Sequence, residues 1–142
     1  MHAKKMLVAA GFAALLSLSH IQPAQAGDVN AAALSCYVDT FALDTLRANV
    51  CVATWTPNRA NDPTIAHFEV TGLPAGNYGY SWSNLEAGGP APACGNTRSC
   101  NVRIATETNG DGEARLAATV TDLDTGAVRT VSAVAFYYDG WH

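Results

Sequence analysis

Beyond residue 26 the chain has no lysine and no methionine; Lys4, Lys5, Met1 and Met6 all precede it. The remaining cations are Arg47, Arg59, Arg98, Arg103, Arg115 and Arg129. They stand against twelve acidic residues, giving residues 27–142 a net charge of −6. Without a basic cluster there is nothing to neutralise phosphates, which argues against a nucleic-acid partner and against a polybasic contact with anionic lipid. Histidine is scarce as well: only His67 and His142 follow residue 26. No Gly-x-Ser-x-Gly elbow is present, so no positioned nucleophile is legible and no catalytic residue is assigned. Glu69, Glu86, Glu107 and Glu113 supply carboxylates, but nothing in their spacing pairs them as glycosidase acids.

What is there begins with an address. Lys4 and Lys5 form a short positive head, residues 6–18 are apolar and uncharged, and Ala24-Gln25-Ala26 has the small-x-small pattern that a signal peptidase cuts. Residues 1–26 read as a secretory signal peptide and residues 27–142 as one exported domain. The apolar run is shorter than the roughly 18 residues that span a bilayer, so no membrane anchor is expected. The expected location is secreted or periplasmic, an oxidising space. There the four cysteines, Cys36, Cys51, Cys94 and Cys100, read as two disulfides. Three pairings are possible, and the nearest-neighbour one, Cys36–Cys51 with Cys94–Cys100, is adopted. Offsets of 15 and 6 residues do not supply the C-x-x-C spacing of a zinc site.

The hydrophobic pattern has period two almost throughout, the signature of half-buried strands. Seven runs read as strands, around Leu34–Val38, Val50–Trp55, Ala66–Thr71, Tyr78–Ser83, Cys100–Ile104, Glu113–Thr121 and Val128–Tyr138, the last apolar on both faces apart from Arg129, Thr130 and Ser132. Gly72 to Gly76, Asn109-Gly110-Asp111-Gly112 and Asp124-Thr125-Gly126 read as reversals, the last two as hairpin turns. Asp39 to Arg47 reads as a short helical turn, and Glu86 to Thr97 is one long irregular stretch. The expected fold is all-β, a seven-stranded antiparallel sandwich with two disulfides.

Here a family resemblance enters. Asn77-Tyr78-Gly79-Tyr80-Ser81-Trp82, followed by Ala118-Thr119-Val120-Thr121-Asp122 and then Thr125-Gly126, resembles the polycystic-kidney-disease and immunoglobulin-like modules of bacterial exported proteins. The resemblance covers roughly residues 65–139. It implies an immunoglobulin-like sandwich with Trp82 in the core, beside Phe68, Leu116 and Val120. It does not imply a function, because such sandwiches host many.

Three features are candidates for function. Asn96, Thr97, Arg98 and Ser99 would sit in a small loop closed by Cys94 and Cys100, and a rigid loop binds without an ordering cost. Thr-Arg-Ser in a cysteine-closed loop resembles the reactive loop of Bowman–Birk serine-protease inhibitors, which would make Arg98 the specificity residue and Ser99 the one after the scissile bond. Tyr137, Tyr138 and Trp141 form a possible aromatic patch, suited to sugar rings or to a protein interface. Asn109, Asp111 and Glu113 alternate around two glycines as a calcium loop would, but the full twelve-residue motif is absent, and the ordinary turn is preferred with no metal or cofactor expected. The expected function is a non-catalytic binding or accessory module with a protein or carbohydrate partner outside the cytoplasm. The alternative is a serine-protease inhibitor acting through Arg98.

Overall fold

A computed structural model describes residues 27–41 and 44–140. The signal-peptide assignment, Trp141 and His142 lie outside the described residues. After a single 3-10 turn at Val29–Ala31 come eight strands: β1 (Ala33–Val38), β2 (Arg47–Ala48), β3 (Val50–Trp55), β4 (Thr64–Thr71), β5 (Tyr78–Asn84), β6 (Ser99–Ile104), β7 (Glu113–Asp122) and β8 (Val128–Asp139). They form two four-stranded sheets, ordered β2-β1-β4-β6 and β3-β8-β7-β5.

The seven expected runs are all strands, and three details differ from expectation. The two-residue β2 is an eighth strand, because the described part of the expected helical turn at 39–47 holds no helix and its end pairs with β1. The sheets are also not wholly antiparallel: β3 runs parallel to β8. Parallel pairing needs a long connection, which the whole chain between the two strands supplies. The Asn109 to Gly112 segment is a crossover rather than a hairpin, since β6 and β7 lie in different sheets. The Asp124 to Gly126 segment is the β7–β8 hairpin, closed by Gly126 N donating to Asp122 O at 2.8 Å, with Gly126 at φ +76° where a side chain would be strained.

The first part of the chain is divided between the sheets, and Asn49 is the pivot. It has φ +67°, a left-handed conformation that asparagine tolerates better than most residues. Its N–H donates to Leu34 O in one sheet and its carbonyl accepts from Val134 N in the other, each at 2.9 Å. The Cys36–Cys51 disulfide joins β1 to β3 across the same division, and Cys94–Cys100 closes the loop before β6. Closing these loops stabilises by about 3 and 2 kcal/mol in the chain-entropy model.

Alternation decides the core. Leu34, Cys36 and Val38 of β1 face Phe68 and Val70 of β4 on the inner side, and Leu116, Ala118 and Val120 of β7 line the opposite sheet. Trp82 is buried in the same cluster, as expected.

Candidate functional site

The stapled loop connects the two sheets. Asn96 Oδ1 accepts from Tyr80 N at 2.6 Å, covering the free edge of β5. Thr97 O accepts from Trp82 Nε1 at 2.8 Å, and Thr97 Oγ1 lies 2.6 Å from Cys94 O and 2.7 Å from Ser99 O. Arg98 turns the other way. Its carbonyl accepts from Val70 N at 3.0 Å and its Nε donates to Val70 O at 2.7 Å, with Glu69 Oε1 at 3.4 Å. Ser99 opens β6 opposite Glu69. All four residues expected to bind are thus engaged in holding β4, β5 and β6 together. The reactive residue of an inhibitor loop must project into a protease pocket, whereas the Arg98 guanidinium leans on β4.

The aromatic patch changes membership. Tyr137 is fully buried and donates its hydroxyl to Asn61 O at 2.6 Å. Burial, and then the nearby Asp62 carboxylate, push its phenol up to about 12. Period-two alternation separates Tyr137 from Tyr138, which sits on the outer face stacked on Phe136 with ring centroids 5.9 Å apart. The register places Val50 beside Val134, Val52 beside Phe136 and Thr54 beside Tyr138. Val50, Val52 and Tyr138 are 46%, 57% and 43% exposed, so this is an apolar stripe open to water. Sequence reasoning missed Val50 and Val52 because either face of β3 offers apolar side chains, and Cys51 with Ala53 and Trp55 takes the inner one.

β3 is the end strand of its sheet, without a ladder partner on its far side among the described residues. Its six residues carry no charge. Exposed edges usually carry charge, proline or a bulge that prevents further pairing. Beside this edge lies a hollow of about 150 Å³, lined by Tyr37, Thr40, Asp44, Arg47, Val52 and Ala53 among others.

The outer face of the other sheet is polar. Tyr37, His67 and Asn101 stand in one row across β1, β4 and β6. The Tyr37 and His67 rings are 4.9 Å apart and tilted by 30°. His67 Nδ1–H donates to Asn101 Oδ1 at 2.6 Å, and Nε2 lies 3.8 Å from Glu69 Oε2. Burial, followed by the Asp44, Asp39 and Glu69 carboxylates, raises the Tyr37 pKa.

The calcium candidates do not converge. Asn109 Nδ2 donates to Asp62 Oδ2 at 2.8 Å, Asp111 Oδ1 accepts from Glu113 N at 3.2 Å, and Glu113 pairs with Arg115. No group of three or more His, Cys, Asp or Glu side chains among the described residues is arranged to hold a metal ion. A hollow of about 350 Å³ between β6, β7 and the long loop has both Glu86 and Glu113 in its wall. Glu86 Oε1 accepts from Arg115 N at 3.2 Å, so both carboxylates are tied to Arg115. No protein-family model, curated protein or solved structure matches the chain.

Proposed function

We propose that the chain is exported and serves outside the cytoplasm as a non-catalytic, immunoglobulin-like module that binds a partner protein along β3 and the outer face of β8. The observation that carries this reading is the stripe formed by exposed Val50, Val52 and Tyr138 with half-buried Val134 and Phe136 between them, beside an uncharged, unpaired strand edge. Apolar patches on soluble domains mark interaction surfaces. A free edge beside such a patch suits an extended partner segment, whose main chain pairs with β3 while its apolar side chains cover the stripe.

Two observations support the setting. Two disulfides in a small all-β domain fit an oxidising compartment. The pairing of β1 with β4 and β6 in one sheet, against β5, β7 and β8 in the other, is the grouping that A-B-E and C-F-G strands would have, which supports the immunoglobulin-like part of the reading.

A carbohydrate ligand on the opposite sheet is a second reading, favoured by the Tyr37–His67–Asn101 row, where rings and planar polar groups lie side by side. Affinity capture from the exported fraction of the native cell separates the two. With protein binding, Val52→Lys bait loses the specific partner that wild type retains, and Asn101→Ala bait keeps it. With sugar binding, retention on immobilised polysaccharide is lost in Tyr37→Ala and kept in Val52→Lys.

A further inference from the structure

Two buried side-chain atoms lack a hydrogen-bond partner among the described residues, Tyr78 Oη and Asp122 Oδ2. They belong to residues that face each other in the β5–β7 ladder. Asp122 is fully buried. Its Oδ1 accepts from Asp124 N at 2.9 Å and from Thr125 N at 3.3 Å. The Asp124 amide and the Thr125 side chain outweigh burial, and with the Thr125 and Gly27 amides they hold this carboxyl below its ordinary range. The result is a buried carboxylate whose second oxygen has no cation beside it, only the Gly27 backbone nitrogen nearby. Such a group calls for a cation. None of the arginine or histidine ion pairs of the described residues reaches it.

The residue beside both orphan atoms is Gly27. A Cβ on Gly27 would overlap the Tyr78 hydroxyl, so glycine is the one residue that fits without displacing that ring. Gly27 is also the residue that follows the small-x-small pattern Ala24-Gln25-Ala26.

We propose that cleavage between Ala26 and Gly27 creates the missing cation, and that the new α-ammonium of Gly27 seats between Asp122 and Tyr78 and locks the mature N-terminus into the sandwich. This rests on the export reading. In the step, water adds across the peptide bond and the C–N bond breaks. Ala26 leaves as a carboxylate with the leader, and the Gly27 nitrogen, with its added protons, is an ammonium at neutral pH. Its three N–H groups then have Asp122 Oδ2 and Tyr78 Oη as acceptors. The titratable groups around this point are Asp28 on its own turn, Tyr78 and Tyr80 on β5, and Asp122 on β7.

The composition makes the test clean: with both lysines before residue 27, the processed chain has a single primary amine. Exported protein is purified, its N-terminus is identified by mass spectrometry, and the rate of amine acetylation is compared for folded and urea-unfolded chains at pH 7. A chain starting at Gly27 is expected. Pairing that raises the amine pKa by about one unit lowers the reactive free-amine fraction about tenfold, so the folded chain reacts about tenfold or more slowly. Asp122→Asn removes that protection. Wild type with one extra alanine before Gly27 melts several degrees lower, and this covers the case in which Asp122→Asn does not fold. A start at another residue refutes the cut site and the proposal with it. A Gly27 start with equal reactivity in folded and unfolded chains refutes the pairing while leaving export intact.

Discussion

The indole N–H of Trp82 donates to the carbonyl oxygen of Thr97 at 2.8 Å. A buried tryptophan needs a partner for its one polar atom, and here the partner is a backbone carbonyl inside the loop closed by Cys94 and Cys100. The core of the sandwich and its smaller staple are therefore mechanically one unit. Loosening either exposes a polar group of the other.

The contribution of that contact can be separated from packing. Trp82→Ala is expected to cost about 3–5 kcal/mol, as for other buried aromatics. Trp82→Phe retains most of the apolar volume but leaves Thr97 O without its donor, for about 1 kcal/mol. Urea unfolding of the two variants measures the difference. A Trp82→Ala protein as stable as wild type would mean that the ring is not in the core.

The purified protein is expected to have no titratable thiol, and peptide mapping should link Cys36 to Cys51 and Cys94 to Cys100. Removing Cys36–Cys51 by paired alanine substitution is expected to cost about 2–5 kcal/mol. The loss should be felt first where the chain passes from β2 to β3 at Asn49, as faster amide exchange in β3.

Much of this architecture is legible in the sequence, for a physical reason. Period two in β1, β4 and β7 survives because the inner face of each is buried along most of its length, so a polar residue there would be costly. What could not be read depends on contacts that leave no local trace. Asn49 looks like any loop asparagine until its hydrogen bonds to both sheets are seen. Both faces of β3 are apolar, so periodicity alone cannot say that Cys51 points inward and Val52 outward. Tyr137 and Tyr138 are adjacent and identical, and only the β8 register assigns one to the core. Asn96, Thr97 and Arg98 are exposed as a recognition loop would be, yet Asn96 and Arg98 also bond backbone atoms of β5 and β4 and Thr97 O receives the Trp82 indole, which no spacing rule reveals.

The Arg98 geometry makes its own test. Arg98→Ala is expected to lower stability by about 0.5–1.5 kcal/mol, because a half-exposed side chain loses its bond to Val70 O and its pairing with Glu69. Neither wild type nor the variant is expected to slow a trypsin-like protease at micromolar concentration. Stoichiometric inhibition by wild type, lost in Arg98→Ala, would make the loop a reactive site after all.

Stability should fall at both ends of the pH scale, through two neighbouring groups. Burial pushes the Asp62 carboxyl up, but the Thr106 hydroxyl, the Asn109 amide and the Thr106 backbone N–H outweigh it, and the net shift is downward. That contribution is complete above the unfolded-state pKa of about 3.9 and fades as pH falls through the lower folded value. Tyr137 is pushed up to about 12, so its contribution is complete below the unfolded-state value of about 10 and fades as pH rises through the folded one. Melting temperature against pH should flatten on the acid limb in Asp62→Asn and on the alkaline limb in Tyr137→Phe. Unchanged limbs in both variants would assign the pH dependence to other groups.

The most direct measurement of the proposed binding surface is photo-crosslinking in the native cell, with the reactive residue at position 52 on the open edge and, as a control, at position 81 on β5. The expected result is a discrete protein adduct from position 52, none from position 81, and loss of the adduct when Phe136→Lys is added. That added change removes the Phe136–Tyr138 stacking and is expected to cost about 0.5–1.5 kcal/mol, so its fold is confirmed by urea unfolding before crosslinking. An adduct from position 81 alone, or none from position 52 with the protein folded and exported, would contradict a partner site on β3 and β8.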